Sequence, residues 1–399
     1  MYGSFGGIWW TSHDLLWISL GADPRSVEIF AHGILSGAIG ASGDLSVCRL
    51  CSISDREVKI LKKIMAVYDE DPLYAERLSD YVNRKEKGIF EAQAFTSKSR
   101  LEEFARKHEI DVLLAGESAF GEDMECIGSA QTIYLTEDQG RQFDGEVAEI
   151  YKYQSGDDII REIMAVYCEV PGAGAVFPGV PGKKKRIIGV YSPIGRCGKT
   201  SLALAIGQLL AKEEKVLFIT LDMFAGFSSI LDERWKRDMS DLIYYYKQGR
   251  FHALRLNSVV YLLGDMAWIP PIRYPDDYNQ ITSEEMAEFL MKILYESDYS
   301  TVVLDIGKYD RQVLPVLNIC QVIYMPIKED LFSQAKMKEF ESYVDRFGEA
   351  GTADKFQKIH IPYVTGTRRM EHFPQELLWG DMGDFVRGLL KGQRGLWEN

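Results

Sequence analysis

The sequence predicts an α/β protein of two doubly wound parallel-sheet domains. Short apolar strand segments alternate with helical segments over residues 64–168 and again over residues 186–399. Repeated β–α units of this kind indicate a parallel sheet with helices on both faces. Residues 171–185 are rich in glycine and proline and end in a basic run. We therefore place a linker at residues 169–185.

Composition excludes several classes of protein. A length of 399 residues, 46% hydrophobic and 26% charged, is that of a globular chain and not of a disordered or fibrous one. A net charge of −13 argues against a general nucleic acid binder. No apolar run reaches the roughly 18 to 20 residues of a spanning helix. The first residues lack a basic stretch before an apolar block, so we expect no secretory signal.

Six cysteines do not make a disulfide framework, and we read them as reduced thiols. We expect a cytoplasmic protein whose contact with a membrane is at most peripheral.

Residues 1–63 have no sustained period. They are either an N-terminal appendage or the product of a misassigned start, with Met65 as the initiator. We favour the second interpretation.

The first predicted domain, residues 64–168, opens with an apolar strand that ends in acids. Asp71 is the predicted N-cap of the first helix, and Pro72 its first residue. The later strands are FEAQAFTS, DVLLAGE, QTIYLTE and EIYKYQS, and the later helices are SRLEEFARKHE and DDIIREIMAVYCEV.

The second predicted domain, residues 186–399, carries the motif with the most chemistry. The segment 193–200, PIGRCGKT, follows the apolar strand RIIGVYS and opens the helix TSLALAIGQLLAKE. Strand, loop and helix in this order form a phosphate-binding loop. Glycines let backbone N–H groups converge on an anion, and the helix N-terminus adds its positive end. The alternative is a tight glycine turn with a chance Gly-Lys-Thr.

The predicted nucleotide-binding residues are Ile194, Gly195, Arg196, Cys197, Gly198, Lys199, Thr200 and Ser201. Lys199 can reach the β- and γ-phosphates, and the Thr200 hydroxyl can ligate Mg²⁺. Pro193 stands where the usual first glycine of this motif would be.

Two acids support the nucleotide interpretation. Asp222 ends the strand VLFITLD, and Asp305 ends the strand TVVLD. An aspartate at the end of an apolar strand beside such a loop typically holds the Mg²⁺ shell or orients water. Either residue alone is a weak signal, because strand-end aspartates often only cap the next turn.

The segments IGRCGKTSLALAIG, LFITLDMFAGFSSIL and TVVLDIG resemble the MinD/ParA class of P-loop ATPases. Within that class the chain is similar to TadZ/CpaE-like pilus assembly proteins, which carry a receiver-like domain before the ATPase. The resemblance covers about residues 64–399. It implies a receiver/flavodoxin-like domain followed by a MinD/ParA-like P-loop domain.

The resemblance also implies a function. Such proteins are cytoplasmic ATPases that form homodimers around ATP, mark a site such as a cell pole and recruit machinery there. For TadZ-like proteins that machinery is the Tad/Flp pilus assembly system. Two alternatives remain open. One is a nucleotide-independent scaffold with a degenerate loop, and the other is a ParA-type segregation ATPase, against which the acidic charge counts.

The resemblance assigns roles residue by residue. Lys199 matches the phosphate-binding lysine, Asp222 the acid that positions the attacking water, and Thr200 and Asp305 the Mg²⁺ side. The implied cofactors are ATP and Mg²⁺. MinD-type proteins carry a second lysine early in the loop, where this sequence has Ile194; Arg196 is the candidate substitute. We therefore expect ATP binding more firmly than turnover.

The receiver-like half departs from active receivers. Its first strand is followed by Asp69, Glu70 and Asp71, but Ala115-Gly116-Glu117 follows the third strand, where receivers carry a phosphoacceptor aspartate. We expect a docking or dimerisation module without phosphotransfer. Lys152 is expected to pair with the acids.

Two weaker signals remain. The basic run 183–186 is either a patch for anionic lipid or nucleic acid or, as we favour, a solvated linker end. The C-terminal segment 385–391 is either a membrane-attaching helix or, as we favour, a helix packed on the sheet.

Overall fold

The structure is a computed structural model. It describes residues 62–85, 89–120, 127–128, 131–138, 147–170, 184–231, 235–307, 313–362 and 373–397. All of the described residues belong to one compact unit of the chain. Most of the predicted extension 1–63 lies outside the described residues, and the predicted domain boundaries stay predictions.

Five strands form the first sheet. They are β1 (Lys63–Tyr68), β2 (Phe90–Phe95), β3 (Val112–Gly116), β4 (Gln131–Thr136) and β5 (Ala148–Tyr151). Their order is β2-β1-β3-β4-β5, and each pairing is parallel. This is the order of flavodoxin-like doubly wound sheets.

The helices of this domain are α1 (Pro72–Arg84), α2 (Lys98–Ala105) and α3 (Gly156–Tyr167), with a 3-10 turn at Glu117–Ala119. The carboxylate of Asp71 accepts hydrogen bonds from the backbone N–H groups of Leu73 and Tyr74. The predicted N-cap at Asp71 is therefore present. Because β1 and β3 are neighbours, Val67 lies opposite Leu114, and both are fully buried.

Seven strands form the second sheet. They are β6 (Arg186–Val190), β7 (Val216–Thr220), β8 (Tyr261–Leu263), β9 (Met266–Ile269), β10 (Thr301–Asp305), β11 (Val322–Pro326) and β12 (Phe356–Ile359). Their order is β12-β11-β6-β10-β7-β9-β8. The pairings are parallel except that of β8 with β9, a short antiparallel hairpin through Gly264 at φ +63°. Strands β8, β9 and β12 were not predicted from the sequence.

Helices cover both faces of the second sheet. They are α4 (Lys199–Leu210), α5 (Phe227–Ile230), α6 (Met239–Lys247), α7 (Ala253–Asn257), α8 (Ser283–Glu296), α9 (Leu314–Asn318), α10 (Leu331–Phe347), α11 (Phe373–Trp379) and α12 (Asp381–Trp397), with 3-10 turns at Pro275–Gln280 and Ala353–Lys355. Successive strand residues point to opposite faces. Ile187 accordingly belongs to the core shared with α8, and Ile188 to the core shared with α4. The prediction of two doubly wound α/β domains is confirmed.

The C-terminal helix α12 packs against α4 and α11. Met382 and Val386 are buried in the same core as Leu202 of α4. Both terminal nitrogens of Arg387 donate to the carbonyl oxygen of Leu378 at 3.1 Å. The described part of the tail is therefore a packed helix, as we favoured. Among the described residues, no helix combines the length and apolarity that a membrane crossing requires.

Replacement of Met382 by alanine tests this packing. Met382 is 1% exposed, and emptying such a site costs about 2 to 5 kcal/mol because a cavity remains. We expect Met382→Ala to lower the free energy of unfolding by that amount in urea titrations. Trp379, which is 83% exposed, is the control, and its replacement by alanine should change the stability by less than about 0.5 kcal/mol. Equal small effects would mean that α12 is not docked.

Candidate functional site

The loop between β6 and α4 has the backbone of an anion-binding turn. Gly198, the N-cap of α4, has φ +81°. Arg196 has φ +53° and is the one non-glycine residue with a positive φ in the described part of the chain. Left-handed backbone costs a non-glycine residue roughly 1 to 2 kcal/mol, and such strain is retained where the surroundings impose it, often at functional sites. Positive φ values in a short loop are typical of backbone N–H groups turned towards an anion.

Ile194 fixes this loop through its buried side chain and through hydrogen bonds of its backbone. Its side chain is buried in the core below the sheet, and its N–H donates to Ser192 Oγ at 3.2 Å. Its carbonyl oxygen accepts hydrogen bonds from Cys197 Sγ at 3.2 Å and from Lys199 Nζ at 3.1 Å. The Lys199 ammonium group therefore folds back over the loop.

The remaining predicted loop residues lie at the surface. Gly195 is exposed and has open space where a Cβ would be. Arg196 is exposed and forms no hydrogen bond or ion pair with a described residue. Ser201 is half-buried in the first turn of α4. Arg196 is thus a solvent-exposed cation on the loop, without an ion-pair partner among the described residues.

Asp305, at the end of β10, is the buried acid of the site. Its side chain is fully buried, and Oδ2 accepts a hydrogen bond from Thr220 Oγ1 at 3.2 Å. Oδ1 is buried and has no hydrogen-bond partner in the described structure.

Burial is the main cause that raises the pKa of Asp305 to about 6, and the charge of Asp222 acts in the same direction. The hydroxyls of Thr200 and Thr220 and the charge of Lys199 lower that pKa. The structure therefore brings Lys199, Thr200, Asp222 and Asp305 together, as the sequence analysis predicted; their roles stay predictions.

Asp222 follows β7 and is fixed through its backbone and side chain. Its N–H donates to Thr220 Oγ1 at 3.2 Å, and its Oδ1 accepts from the N–H of Phe224 at 3.3 Å. Gly307 has φ +51°, and a Cβ there would lie 2.5 Å from the Cβ of Asp222. Glycine at 307 is therefore what lets the strand ends carrying Asp222 and Asp305 approach each other. Thr220 and Gly307 were not predicted from the sequence, although a glycine two residues after the strand-end Asp305 was a usable signal.

The donor set fits a magnesium nucleotide. The oxygens available are the hydroxyl of Thr200 and the carboxylate of Asp305, whose Oδ1 lacks a partner. Mg²⁺ is usually held by one or two protein oxygens together with substrate phosphates and water. No cluster of three histidine, cysteine or acidic side chains suited to a metal ion occurs in the part of the chain that the structure describes. A dedicated protein cage for a metal is thus not found there, whereas a shared phosphate site is compatible.

Lys152 forms ion pairs with two acids at the edge of the first sheet. Lys152 Nζ lies 2.9 Å from Asp69 Oδ2 and 3.2 Å from Glu137 Oε1. Burial acts to lower the pKa of Lys152, but the bonds to these two acids outweigh burial and raise it. The expected pairing of Lys152 with the acids is therefore present.

β3 ends at Gly116, where a Cβ would lie 3.0 Å from Asp69 Oδ2. Asp69 therefore occupies the space that a side chain at position 116 would need. Glu117 is turned towards β4, where its Oε2 accepts from the N–H of Glu137 at 3.1 Å. As expected from the sequence, no aspartate stands at the end of β3.

Part of the basic run 183–186 is used internally. Lys185 Nζ donates to the carbonyl oxygens of Leu294, Tyr295 and Ser297 at 2.7 to 3.0 Å, which caps the C-terminal end of α8. Arg186 forms an ion pair with Glu214. These two residues are therefore committed to the fold and not to an external anion.

Residues 61–168 match the family described as "TadZ-like, receiver domain". The match confirms the predicted resemblance for the receiver-like part of the chain. No curated protein sequence matches the chain.

Several solved structures are similar to part of the chain. A ParA family ATPase from Chlorobium tepidum is 16% identical over 49% of this chain and 81% of its own, with a TM-score of 0.39. A plasmid partition protein from Borrelia burgdorferi is 18% identical over 52% and 100%, with a TM-score of 0.37. A cobyrinic acid a,c-diamide synthase from Mycobacterium smegmatis, with a bound ATP analog and magnesium, is 15% identical over 50% and 82%, with a TM-score of 0.35. Similarity at this level is too low to assign an activity to the chain.

Replacement of Asp305 by asparagine tests the cost of the buried carboxylate in the absence of nucleotide. The pKa rises on folding from an ordinary value of 3.8 to about 6. The native state therefore binds the proton more tightly, and stability from this group is present below about pH 4 and is lost as the pH rises through 6. This change corresponds to about 3 kcal/mol.

We expect Asp305→Asn to raise the free energy of unfolding at pH 8 and to flatten its dependence on pH between 4 and 6. Asp80, which is 68% exposed, is the control, and Asp80→Asn should leave the pH profile unchanged. A loss of stability at pH 8 in Asp305→Asn would contradict this account of the site.

Proposed function

We propose that this chain, a TadZ/CpaE-like protein by its receiver domain, is an ATP-binding positioning ATPase. The observation that carries the proposal is the strand–loop–helix of residues 186–210 with Lys199 and Thr200 beside the buried Asp305. Convergent N–H groups, a helix N-terminus and a lysine are a site for nucleotide phosphates. An acid at the neighbouring strand end supplies the magnesium side.

Each residue has a distinct part in the proposed reaction. The loop N–H groups and Lys199 bind the β- and γ-phosphates, and Thr200 and Asp305 hold Mg²⁺. A bound Mg²⁺ would neutralise charge that develops on the phosphates. Asp222, fixed by Thr220 and Phe224, accepts a hydrogen bond from the attacking water and orients it. Gly307 keeps Asp222 close to Asp305.

Exposed apolar residues on the same edge of the sheet support a homodimer. Phe224, after β7, is 82% exposed, and Leu331 and Phe332, after β11, are 78% and 77% exposed. Because β6, β7, β10 and β11 are parallel, these side chains lie at the same edge of the sheet as the phosphate loop. Phe224 lies on one side of that loop, and Leu331 and Phe332 lie on the other. Large exposed apolar side chains of this kind mark protein interfaces. We propose that two chains associate through this edge when ATP is bound.

The proposed cellular role is the placement of Tad/Flp pilus assembly proteins at a site such as a pole, from the cytoplasmic side of the membrane. The TadZ-like match of residues 61–168 supports it. A fluorescent fusion of the full chain should form foci that coincide with the pilus secretion ATPase. Foci of the secretion ATPase that persist unchanged when this chain is deleted would contradict the proposed placement.

A nucleotide-independent scaffold is the second candidate. The observation in its favour is Ile194, which is buried at the position of the second lysine and so presents no charge to a partner chain. The carbonyl oxygen of Ile194 also engages Lys199 within the loop. ATP binding that depends on Lys199 separates the two candidates.

Replacement of Lys199 by alanine tests nucleotide binding. Calorimetry with ATP and Mg²⁺ should show binding by the full chain and at least a 100-fold weaker affinity in Lys199→Ala, because charge-assisted bonds to phosphate are lost. Asp222→Asn should bind ATP normally and lose turnover by about 10²-fold or more. Equal binding by the wild type and Lys199→Ala, or none by either, would favour the scaffold.

Replacement of Arg196 by alanine tests the dimer. Arg196 is exposed and uncommitted at the mouth of the loop, where its charge can meet the nucleotide bound to a second copy. Light scattering should show an ATP-dependent shift to dimer in the wild type and in Arg196→Lys, but not in Arg196→Ala, whose ATP affinity should change less than threefold. Arg77, an exposed arginine of α1, is the matched control. A normal dimer in Arg196→Ala would remove Arg196 from this role.

A further inference from the structure

The end of α3 is bound to the segment that joins β7 to β9 in the second domain. Arg255 of α7 is the centre of this contact, and only 2% of its side chain is exposed. It donates to Glu169 Oε1 at 2.7 Å through Nη1 and to the carbonyl oxygen of Cys168 at 2.9 Å through Nη2. The ring of Tyr245 lies 3.8 Å from its guanidinium carbon. A buried arginine is thus held entirely by groups at the junction of the two domains.

Glu169 is shared among three side chains of the second domain. Besides Arg255, it accepts hydrogen bonds from Arg250 Nη2 at 2.9 Å and from the Tyr245 hydroxyl at 3.2 Å. The hydrogen bond from Arg255 is the largest cause that lowers the pKa of Glu169 to about 2, and Arg250 acts in the same direction. Arg255 is buried, whereas the side chain of Glu169 is 51% exposed. Removing this carboxylate would leave the charge of a buried group uncompensated. Separation of the domains would therefore remove the hydrogen-bond partners of Arg255 at residues 168 and 169.

α7 also completes the apolar core of the first domain. Leu254 is 1% exposed and belongs to the cluster that contains Ile160 and Ile163 of α3. The first domain therefore relies on a side chain supplied by the second. Undocking α7 would open this core to water, which costs free energy in proportion to the apolar area exposed.

A second contact lies further along α3. The guanidinium group of Arg161 is 3.6 Å from the ring centre of Tyr261 in β8, and its Nε donates to the carbonyl oxygen of Val260 at 3.0 Å. Glu162 forms an ion pair with Lys236. α3 is thus fixed to the same segment of the second domain at several points.

Helix α6 connects this contact with the nucleotide loop region. Asp238, its N-cap, lines a cavity of about 320 Å³ together with residues 223–228. Those residues follow Asp222 directly. Tyr245 lies in the last turn of the same helix. The nine-residue helix α6 therefore begins beside the loop after Asp222 and ends at Glu169.

We propose that this joint, consisting of Glu169, Arg255, Tyr245 and Leu254, makes the two domains unfold as one cooperative unit. Nucleotide bound to the second domain then also stabilises the receiver domain. A ligand that binds the native state stabilises everything that unfolds together with its site by the factor 1 + [L]/Kd. If the joint holds, nucleotide at loop 193–200 must also suppress the opening of α3. The second part rests on the proposed function, because it requires nucleotide binding.

Hydrogen exchange on the full chain tests the proposal. With AMP-PNP and Mg²⁺ at 100 times Kd, amide exchange in α3 should slow by up to about 100-fold. Glu169→Gln should bind the analogue but lose most of this slowing. The control is Glu103→Gln, which removes an equivalent charge from the exposed pair with Lys107, and it should behave as the wild type. Unchanged exchange in α3 while the loop peptides become protected would overturn the proposal.

A second measurement separates failure of this inference from failure of the proposed function. If calorimetry shows no nucleotide binding, the proposed function fails, and the joint is then judged without nucleotide from the urea dependence of exchange. Amides of α3 and α6 should lose protection at the same urea concentration in the wild type, and α3 should lose it earlier in Glu169→Gln. Earlier loss in α3 of the wild type would show that the domains open independently and would overturn the joint.

Discussion

The carboxylate of Asp305, withdrawn from water at the end of β10, is the interaction on which the arrangement of the second domain depends. Burial raises its pKa to about 6, and Oδ1 has no hydrogen-bond partner among the described residues. A buried charge of this kind is costly unless it is paired. The groups gathered around it are the Lys199 ammonium, the hydroxyls of Thr200 and Thr220, and Asp222 across Gly307. A divalent cation shared with phosphate would bind the Asp305 oxygen that these groups leave without a hydrogen-bond partner.

The strand–loop–helix of residues 186–210 could be predicted from the sequence because its signals are local. Strand, glycine turn, Lys199 and helix follow one another within a few residues, and the backbone angles at Arg196 and Gly198 agree with them. Asp222 and Asp305 could be predicted as neighbours because parallel strands end at one edge of a sheet. Their separation could not, because it depends on the close approach at Gly307, which is a contact between distant parts of the chain.

The largest feature missing from the sequence analysis is the joint between the domains. Glu169 lies at the start of the predicted linker, yet it binds Arg250 and Arg255, more than eighty residues later. Arginine and glutamate are usually exposed, so nothing in the local pattern marks Arg255 as buried. The antiparallel strand β8 was missed because three residues, Tyr261–Leu263, are too few to show a period. In both cases the structure is determined by tertiary contacts that a local pattern does not contain.

The two domains differ in how far their buried charges are balanced by their own residues. The receiver half holds Lys152 and Asp69 as an internal ion pair and has Gly116 at the end of β3, so its charge is balanced within the domain. The second domain contains the buried Asp305, whose charge the surrounding residues balance only in part.

A crystal structure of the full chain with AMP-PNP and Mg²⁺ tests this contrast most directly. We predict phosphates bound by the N–H groups of residues 194–200 and Mg²⁺ between Thr200 and the Asp305 side of the site. Nucleotide bound elsewhere, or a loop that binds none at saturating concentration, would contradict the account.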